Sequence, residues 1–323
     1  MGQAISSFIT CSSDGNSLIT AAANGDIPLV KQLLVKYPKI ASYHHYQDRT
    51  SALIQASARG HSELVQMLVE AAVMCDGVEK AKRNCIDHTN NKRQTALIVA
   101  CKHGHSECVE YLATNGADPL VTDERRHNTC LHFAALYGNS ECAHKLLASK
   151  AASLNPQGSQ VLVAQLMCPD EDDVSQVKFI DRHNGWGLTA LHIAVFQGSI
   201  STVRALLRHG ADLQATIAPS KVENSPIRCA IASNVLHIAA ITSNNIMAKM
   251  LLEAQEGHPG LELRSRTNSS GLLPQEYAAR ARNPVLVHLL DERLPVSLLR
   301  QIWANNSLEQ STPARHTTLD IWG

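Results

Sequence analysis

Aromatic side chains are scarce: Phe, Trp and Tyr make up only 4% of the 323 residues. A large aromatic core is therefore excluded. A core of small and medium side chains suits thin helices packed closely together. No excess charge of either sign is present, since 29 Lys and Arg balance 29 Asp and Glu. Phosphate binding needs a basic excess or patch, so this balance argues against nucleic acid as the main partner. No apolar run approaches the roughly 18 residues that a membrane-spanning helix needs. The N-terminus lacks the basic segment and apolar stretch of a secretory signal. The nine cysteines form no C-x-x-C pair, which fits neither a disulfide framework nor a paired-cysteine zinc module. Free thiols of this kind fit a reducing compartment, the cytosol or nucleus. No Gly-rich phosphate loop appears, and no Ser, His and Asp set stands at a recognisable spacing. The sequence thus points to no catalytic residue, metal, cofactor or small-molecule substrate.

What is present is a repeat. Five segments align, beginning at Ser51, Thr95, Thr129, Thr189 and Asn234, with weaker units at Ser17 and Leu273. Within each, a leucine and two small residues recur at i, i+3 and i+4, as in Leu53, Ala56, Ser57 and Leu97, Ala100, Cys101. That spacing is one face of a short helix. Gly60, Gly104, Gly138 and Gly198 stand where that helix must end. A second stripe follows, as in Leu64, Val65, Leu68 and Val69. Neither helix buries its apolar face alone, so neighbouring units must stack.

The residues Leu131, His132, Ala134, Ala135 and Gly138, and again Leu191, His192, Ala194 and Gly198, resemble the ankyrin pattern of T-P-L-H-x-A, a turn and a V-x-x-L-L helix. The resemblance implies an all-α solenoid of about six to seven helix-turn-helix repeats spanning residues 16–290. It implies a structural role for His132, His192 and His237, whose imidazoles would bond the backbone of the adjacent loop. Equivalent leucines lie 35 residues apart from Leu18 to Leu53 but 44 from Leu53 to Leu97, 60 from Leu131 to Leu191 and 45 from Leu191 to Leu236. Inserts near 72–87, 154–180 and 215–233 account for the excess. Residues 291–323 read as a last amphipathic turn and a polar, disordered tail.

The opening Met-Gly-Gln-Ala-Ile-Ser fits the N-myristoylation pattern, with Gly2 as acceptor and Ser6 at the favoured position. Residues 1–15 then form a lipidated leader. One acyl chain holds a protein on a bilayer only marginally. Cys11 is the nearby thiol that palmitoylation could use, and an unmodified cysteine is the equal alternative. The expected location is the cytoplasmic face of the plasma membrane.

The Met-Gly-Gln-x-x-Ser start, the string from Asn128 to Gly138, the stretch Val177–Asp181 and the long insert before it are similar to a narrower group. They resemble plant ankyrin-repeat RING-type E3 ubiquitin ligases, membrane-associated proteins that bind receptor kinases. The resemblance implies binding of a receptor kinase or ubiquitination substrate by the repeats. A RING needs eight paired Cys and His ligands. The last cysteine here is Cys229, so ligase chemistry is not expected of these residues.

Cys101, His103, His105 and Cys108 invite a zinc reading, but they straddle two helices and a turn, and a structural role is expected instead. The expected binding surface is the groove formed by hairpin tips and the exposed side of each first helix. Tip candidates are Arg49, Arg93, Arg125, Arg126, His127 and Trp186; first-helix candidates are Arg59, Lys102, Tyr137 and Phe196. Arg, Trp and Tyr dominate interface energetics. The recurring arginines suggest a basic strip facing an acidic protein. Trp186 is read equally as an exposed anchor or as packed on a neighbouring hairpin.

Overall fold

A computed structural model describes residues 2–151, 161–169, 176–220, 222, 225–227, 229–258 and 261–296. It divides into two compact units, residues 1–179 and 180–323.

The first unit is built from helix pairs. Its helices are α1 (Gly2–Asn24), α2 (Ile27–Lys36), α3 (Ala52–Arg59), α4 (Ser62–Asp76), α5 (Val78–Ala81), α6 (Ala96–His103), α7 (Ser106–Thr114), α8 (Cys130–Leu136) and α9 (Ser140–Ala148). Helices α1, α3, α6 and α8 stack in one layer, and α2, α4, α7 and α9 in a second. Each short first helix starts at a hydroxyl cap. Ser51 Oγ accepts from Ile54 N at 3.2 Å, and Thr95 Oγ1 accepts from Ile98 N at 3.3 Å. These bonds satisfy donors that the first turn leaves without partners. The faces expected from the spacing are the buried ones: Leu53, Ala56 and Ser57 on α3, and Leu97, Ala100 and Cys101 on α6. Each buried leucine contributes about 1.5–3 kcal/mol.

The inserts take three forms. The first is largely helical: α4 runs on to Asp76, and α5 is followed by one wide turn, Lys82–Ile86. Cys85 and Ile86 are buried there. The second departs from an all-helical chain. Two small antiparallel strand pairs occur in and beside it, β1 (Lys150–Ala151) with β2 (Val161–Leu162), and β3 (Met167–Pro169) with β4 (Gln176–Lys178). The boundary expected at residue 15 falls inside α1, whose backbone runs through it unbroken.

The second unit contains α10 (Ala190–Phe196), α11 (Ile200–Arg208), α12 (Val235–Ile241), α13 (Asn245–Glu256), α14 (Pro274–Arg280) and α15 (Pro284–Leu289). First helices α10, α12 and α14 again pack in series. Part of the third insert bonds back to the hairpin before it and to its own end. Ala218 N donates to Gly187 O at 2.9 Å, and Ile217 N to Ser233 O at 2.9 Å.

His192 and His237 act as the pattern implies. His192 Nε2 lies 3.1 Å from Ala215 O and His237 Nε2 lies 3.0 Å from Leu272 O. Their Nδ1 atoms accept from the backbone N–H of Thr189 and Asn234. Each ring therefore ties a helix start to the next hairpin.

Candidate functional site

The hairpin tips of the first unit form a continuous strip. In each tip two short arms close on themselves: His45 N donates to Thr50 O, Asn90 N to Gln94 O and Asp123 N to Asn128 O. Adjacent tips are then joined. Asn91 N donates to Asp48 O at 3.0 Å and Glu124 N to Lys92 O at 3.2 Å. The Asn91 side chain adds a bond to Gln47 O at 2.6 Å. This lateral bonding carries the strip across three repeats.

Arg49, Arg93 and His127 stand at the turn of these tips with φ of 55°, 54° and 52°. Left-handed backbone costs an ordinary L residue about 1–2 kcal/mol. The backbone of Arg49 is held from the side, because its carbonyl accepts from His88 Nε2 at 2.8 Å. His44 stacks on His88 with ring centroids 4.5 Å apart. Burial holds the His88 imidazole below its ordinary pKa, so its neutral, Nε2-protonated form is the one that makes this bond.

Behind the tips lies a group that brings the first-helix candidates together. Lys102 Nζ sits 5.9 Å from the centre of the Tyr137 ring. Burial lowers the Lys102 pKa, and Lys92 nearby lowers it further. Arg126 lies within electrostatic reach of Asp123, Arg125 and Tyr137. Asp123 is buried, which raises its pKa, and its Oδ1 accepts from Asn128 N at 2.5 Å. Arg49, Arg59, Arg93 and Arg125 are exposed and make no ion pair with any described residue. The first unit thus presents a cationic strip with one half-buried aromatic ring.

Two candidates lie in the other unit. Phe196 is half-buried at the end of α10. Trp186 is only 3% exposed, so of its two readings the packed one holds and the surface anchor is corrected. Part of the third insert bonds back to its hairpin: Ala218 N bonds Gly187 O, and Val222 N bonds Gly185 O at 3.0 Å. The Cys11 side chain lies outside the described residues, and Gly2 opens the backbone of α1. Among the described residues no three His, Cys, Asp or Glu converge as metal ligands. Cys101 and Cys108 are buried, and His105 Nε2 lies 3.0 Å from Ala58 O.

Lys92, Asp123 and His88 belong to this site but were not singled out from the sequence. A signal for the tips was available. Arg49, Arg93 and His127 each stand two residues before a helix cap, the place that Gly187 and Gly271 occupy in later units.

The family profile described as Ankyrin repeats (3 copies) matches residues 18–123, 74–158, 121–217 and 151–257. The chain belongs to the ankyrin-repeat family. Its ankyrin region is similar to that of E3 ubiquitin-protein ligase XBAT32 of Arabidopsis thaliana, at 34% identity over 208 residues. The match covers 64% of this chain and 39% of the relative. A rice relative, "Probable E3 ubiquitin-protein ligase XBOS32", is 31% identical over 211 residues, covering 64% of this chain and 40% of its own. The ankyrin array therefore spans about two fifths of the length of the curated relatives it matches. The ankyrin repeat domain of Bcl-3, a member of the IkappaB family, superposes with a TM-score of 0.55 at 21% identity, covering 84% of this chain and 96% of that one. That likeness concerns the fold alone. Ankyrin arrays are protein-interaction modules, and this one is related to the ankyrin region of plant ubiquitin ligases.

Proposed function

We propose that this ankyrin array recruits a protein partner in a ubiquitin-ligase setting, with the first unit's strip as its contact face. The observation that carries the reading is the hydrogen-bonded series of tips with unpaired Arg49, Arg93 and Arg125, backed by Arg59, Lys102 and Tyr137. Relatedness to plant E3 ligases supports the setting. The partner class it suggests is a ubiquitination substrate or a receptor kinase. Ubiquitin transfer itself is not assigned to these residues, which lack the paired cysteines a RING uses.

The proposal places the chain on the cytoplasmic face of the plasma membrane through myristoylation of Gly2, with acylation of Cys11 as a second anchor. The N-terminal hexapeptide supports that placement. Wild-type and Gly2→Ala chains carrying a C-terminal fluorescent tag test it: the wild type should mark the cell periphery and the variant should not. Identical diffuse distributions would remove the anchor.

The contact face is tested with an Arg59→Glu/Lys102→Glu double variant. Both side chains lie on the outer ends of first helices, and neither makes an ion pair among the described residues. Proteins captured by the wild type should be lost, with the unfolding midpoint unchanged. Equal capture by both forms would sink the groove assignment.

A further inference from the structure

We infer that the three tips of the first unit form a ladder for an acidic polypeptide segment in a left-handed extended conformation, with a carboxylate at every third residue. The inference rests on the reading that this face binds protein, and it adds the chemistry and the repeat of what is bound.

The backbone supplies the first argument. Six hairpins place a left-handed residue two positions before a helix cap: Arg49, Arg93, His127, Gly187, Ala232 and Gly271. Glycine adopts this conformation without steric cost. In the first unit all three positions carry a long or cationic side chain instead. Strained backbone persists where something else over-determines it, and such positions cluster at binding sites. His88 on the Arg49 carbonyl shows how the fold holds one of them. Arg49 and Arg93 place their side chains in solvent, where they contribute nothing to the core.

Charge supplies the second. The three tips, residues 44–50, 88–94 and 122–128, contain Arg49, Lys92, Arg93, Arg125 and Arg126. Their carboxylates are Asp48, Asp123 and Glu124. Asp48 is engaged by Thr50 N at 2.9 Å and by His45 at 3.3 Å, and Asp123 is buried against Asn128 N. Glu124 is left as an exposed acid facing a cationic excess. Such a surface steers and holds an anionic segment.

The repeat distance supplies the third. Each tip contributes two arms, and neighbouring arms are hydrogen-bonded to each other. With a strand-like spacing of about 4.8 Å for each bonded connection, equivalent residues would recur at about 10 Å along the strip. A polyproline II segment rises about 3.1 Å per residue with three residues per turn, so every third side chain returns to one face after about 9 Å. The two periods match. A β-strand sends its third residue to the opposite face and does not match. Arg49, Arg93 and the third tip can then each meet one carboxylate.

The test uses the full chain and two fluorescein-labelled nonapeptides of one composition, at low salt. One is three Glu-Pro-Pro units; the other groups its three Glu before six Pro. Anisotropy should give the periodic peptide at least a three-fold lower Kd. Arg93→Gly keeps the turn conformation while deleting the cation, so it should weaken that binding about two- to five-fold. Its unfolding midpoint should equal or exceed the wild type's, because glycine relieves the strained turn. Arg49→Gly/Arg93→Gly should weaken binding further. Equal affinity for the two peptides, or unchanged binding by Arg93→Gly, would overturn the ladder. If the Arg59→Glu/Lys102→Glu variant still loses partner capture in that case, the broader reading stands and only the ladder is wrong.

Discussion

Gly60 and His105 occupy one another's space across a repeat boundary. A Cβ on Gly60 would stand 2.4 Å from His105 Nδ1, and the same ring's Nε2 lies 3.0 Å from Ala58 O. Gly60 has φ 77°, which only glycine adopts freely. Gly60→Ala should therefore cost about 2–3 kcal/mol, from left-handed strain plus loss of the His105 hydrogen bond. His105→Ala alone should cost about 1 kcal/mol. Because one contact is shared, the double variant should cost less than the sum of the singles. Urea unfolding of all four proteins measures this, and strict additivity would show that the two residues are not coupled.

How much of this was legible beforehand differs by residue. The two helices of each repeat were legible because Leu53, Ala56 and Ser57, and their counterparts, share one face. That pattern is local and follows from the helical period. The role of His192 and His237 was legible only through the family resemblance, since their partners Ala215 and Leu272 lie 23 and 35 residues away. Trp186 was half legible: packing on a hairpin was one of two equal readings, and the sequence could not choose between them. Its flanking glycines look like an exposed turn, and nothing nearby in sequence announces that Ala218 and Val222 bond back to Gly187 and Gly185. The strained tips were readable from register alone, because Gly187 and Gly271 mark the place that Arg49, Arg93 and His127 fill.

The insert over Trp186 gives a second prediction. Gly187 has φ 71°, and a Cβ there would stand 2.0 Å from Ala218 O. Gly187→Ala should push this part of the insert off the hairpin and expose the indole. Trp303 and Trp322 must first be changed to Phe so that Trp186 is the only emitter. The variant's emission should then shift to longer wavelength and its acrylamide quenching should rise. Unchanged quenching would mean that the insert does not shield the ring.

Asp87 predicts a pH effect in one direction. Its Oδ1 accepts from Asp118 N at 2.8 Å, but burial and then the Asp118 charge push its pKa up to about 6. A carboxyl with a raised folded pKa binds more protons folded than unfolded between about pH 4 and 6. Its contribution to stability therefore falls as pH rises through that window. Asp87→Asn keeps the acceptor and removes the charge. It should stabilise the protein by about 1–2 kcal/mol at pH 7 and by much less at pH 4. Denaturant melts at both pH values decide it; an equal effect at both would reject the titration.

His237 predicts the opposite sign. Its Nδ1 accepts from Asn234 N at 3.1 Å, and Asn234 Oδ1 accepts from His237 N at 3.2 Å. Its Nε2 donates to Leu272 O, so the ring is the neutral Nε2-protonated tautomer. Asn234 Oδ1 also stands 2.9 Å from Nδ1, but burial, the largest effect, holds the pKa of this imidazole below its ordinary value. With a depressed folded pKa, the stability that His237 contributes is present above its unfolded pKa of about 6.5 and is lost as pH falls below it. His237→Gln removes the titration and should flatten the fall in stability below pH 6.5, while costing about 1–2 kcal/mol at pH 8 through poorer bonding to Leu272. If the variant loses stability with acid as steeply as the wild type, the fall belongs to other groups.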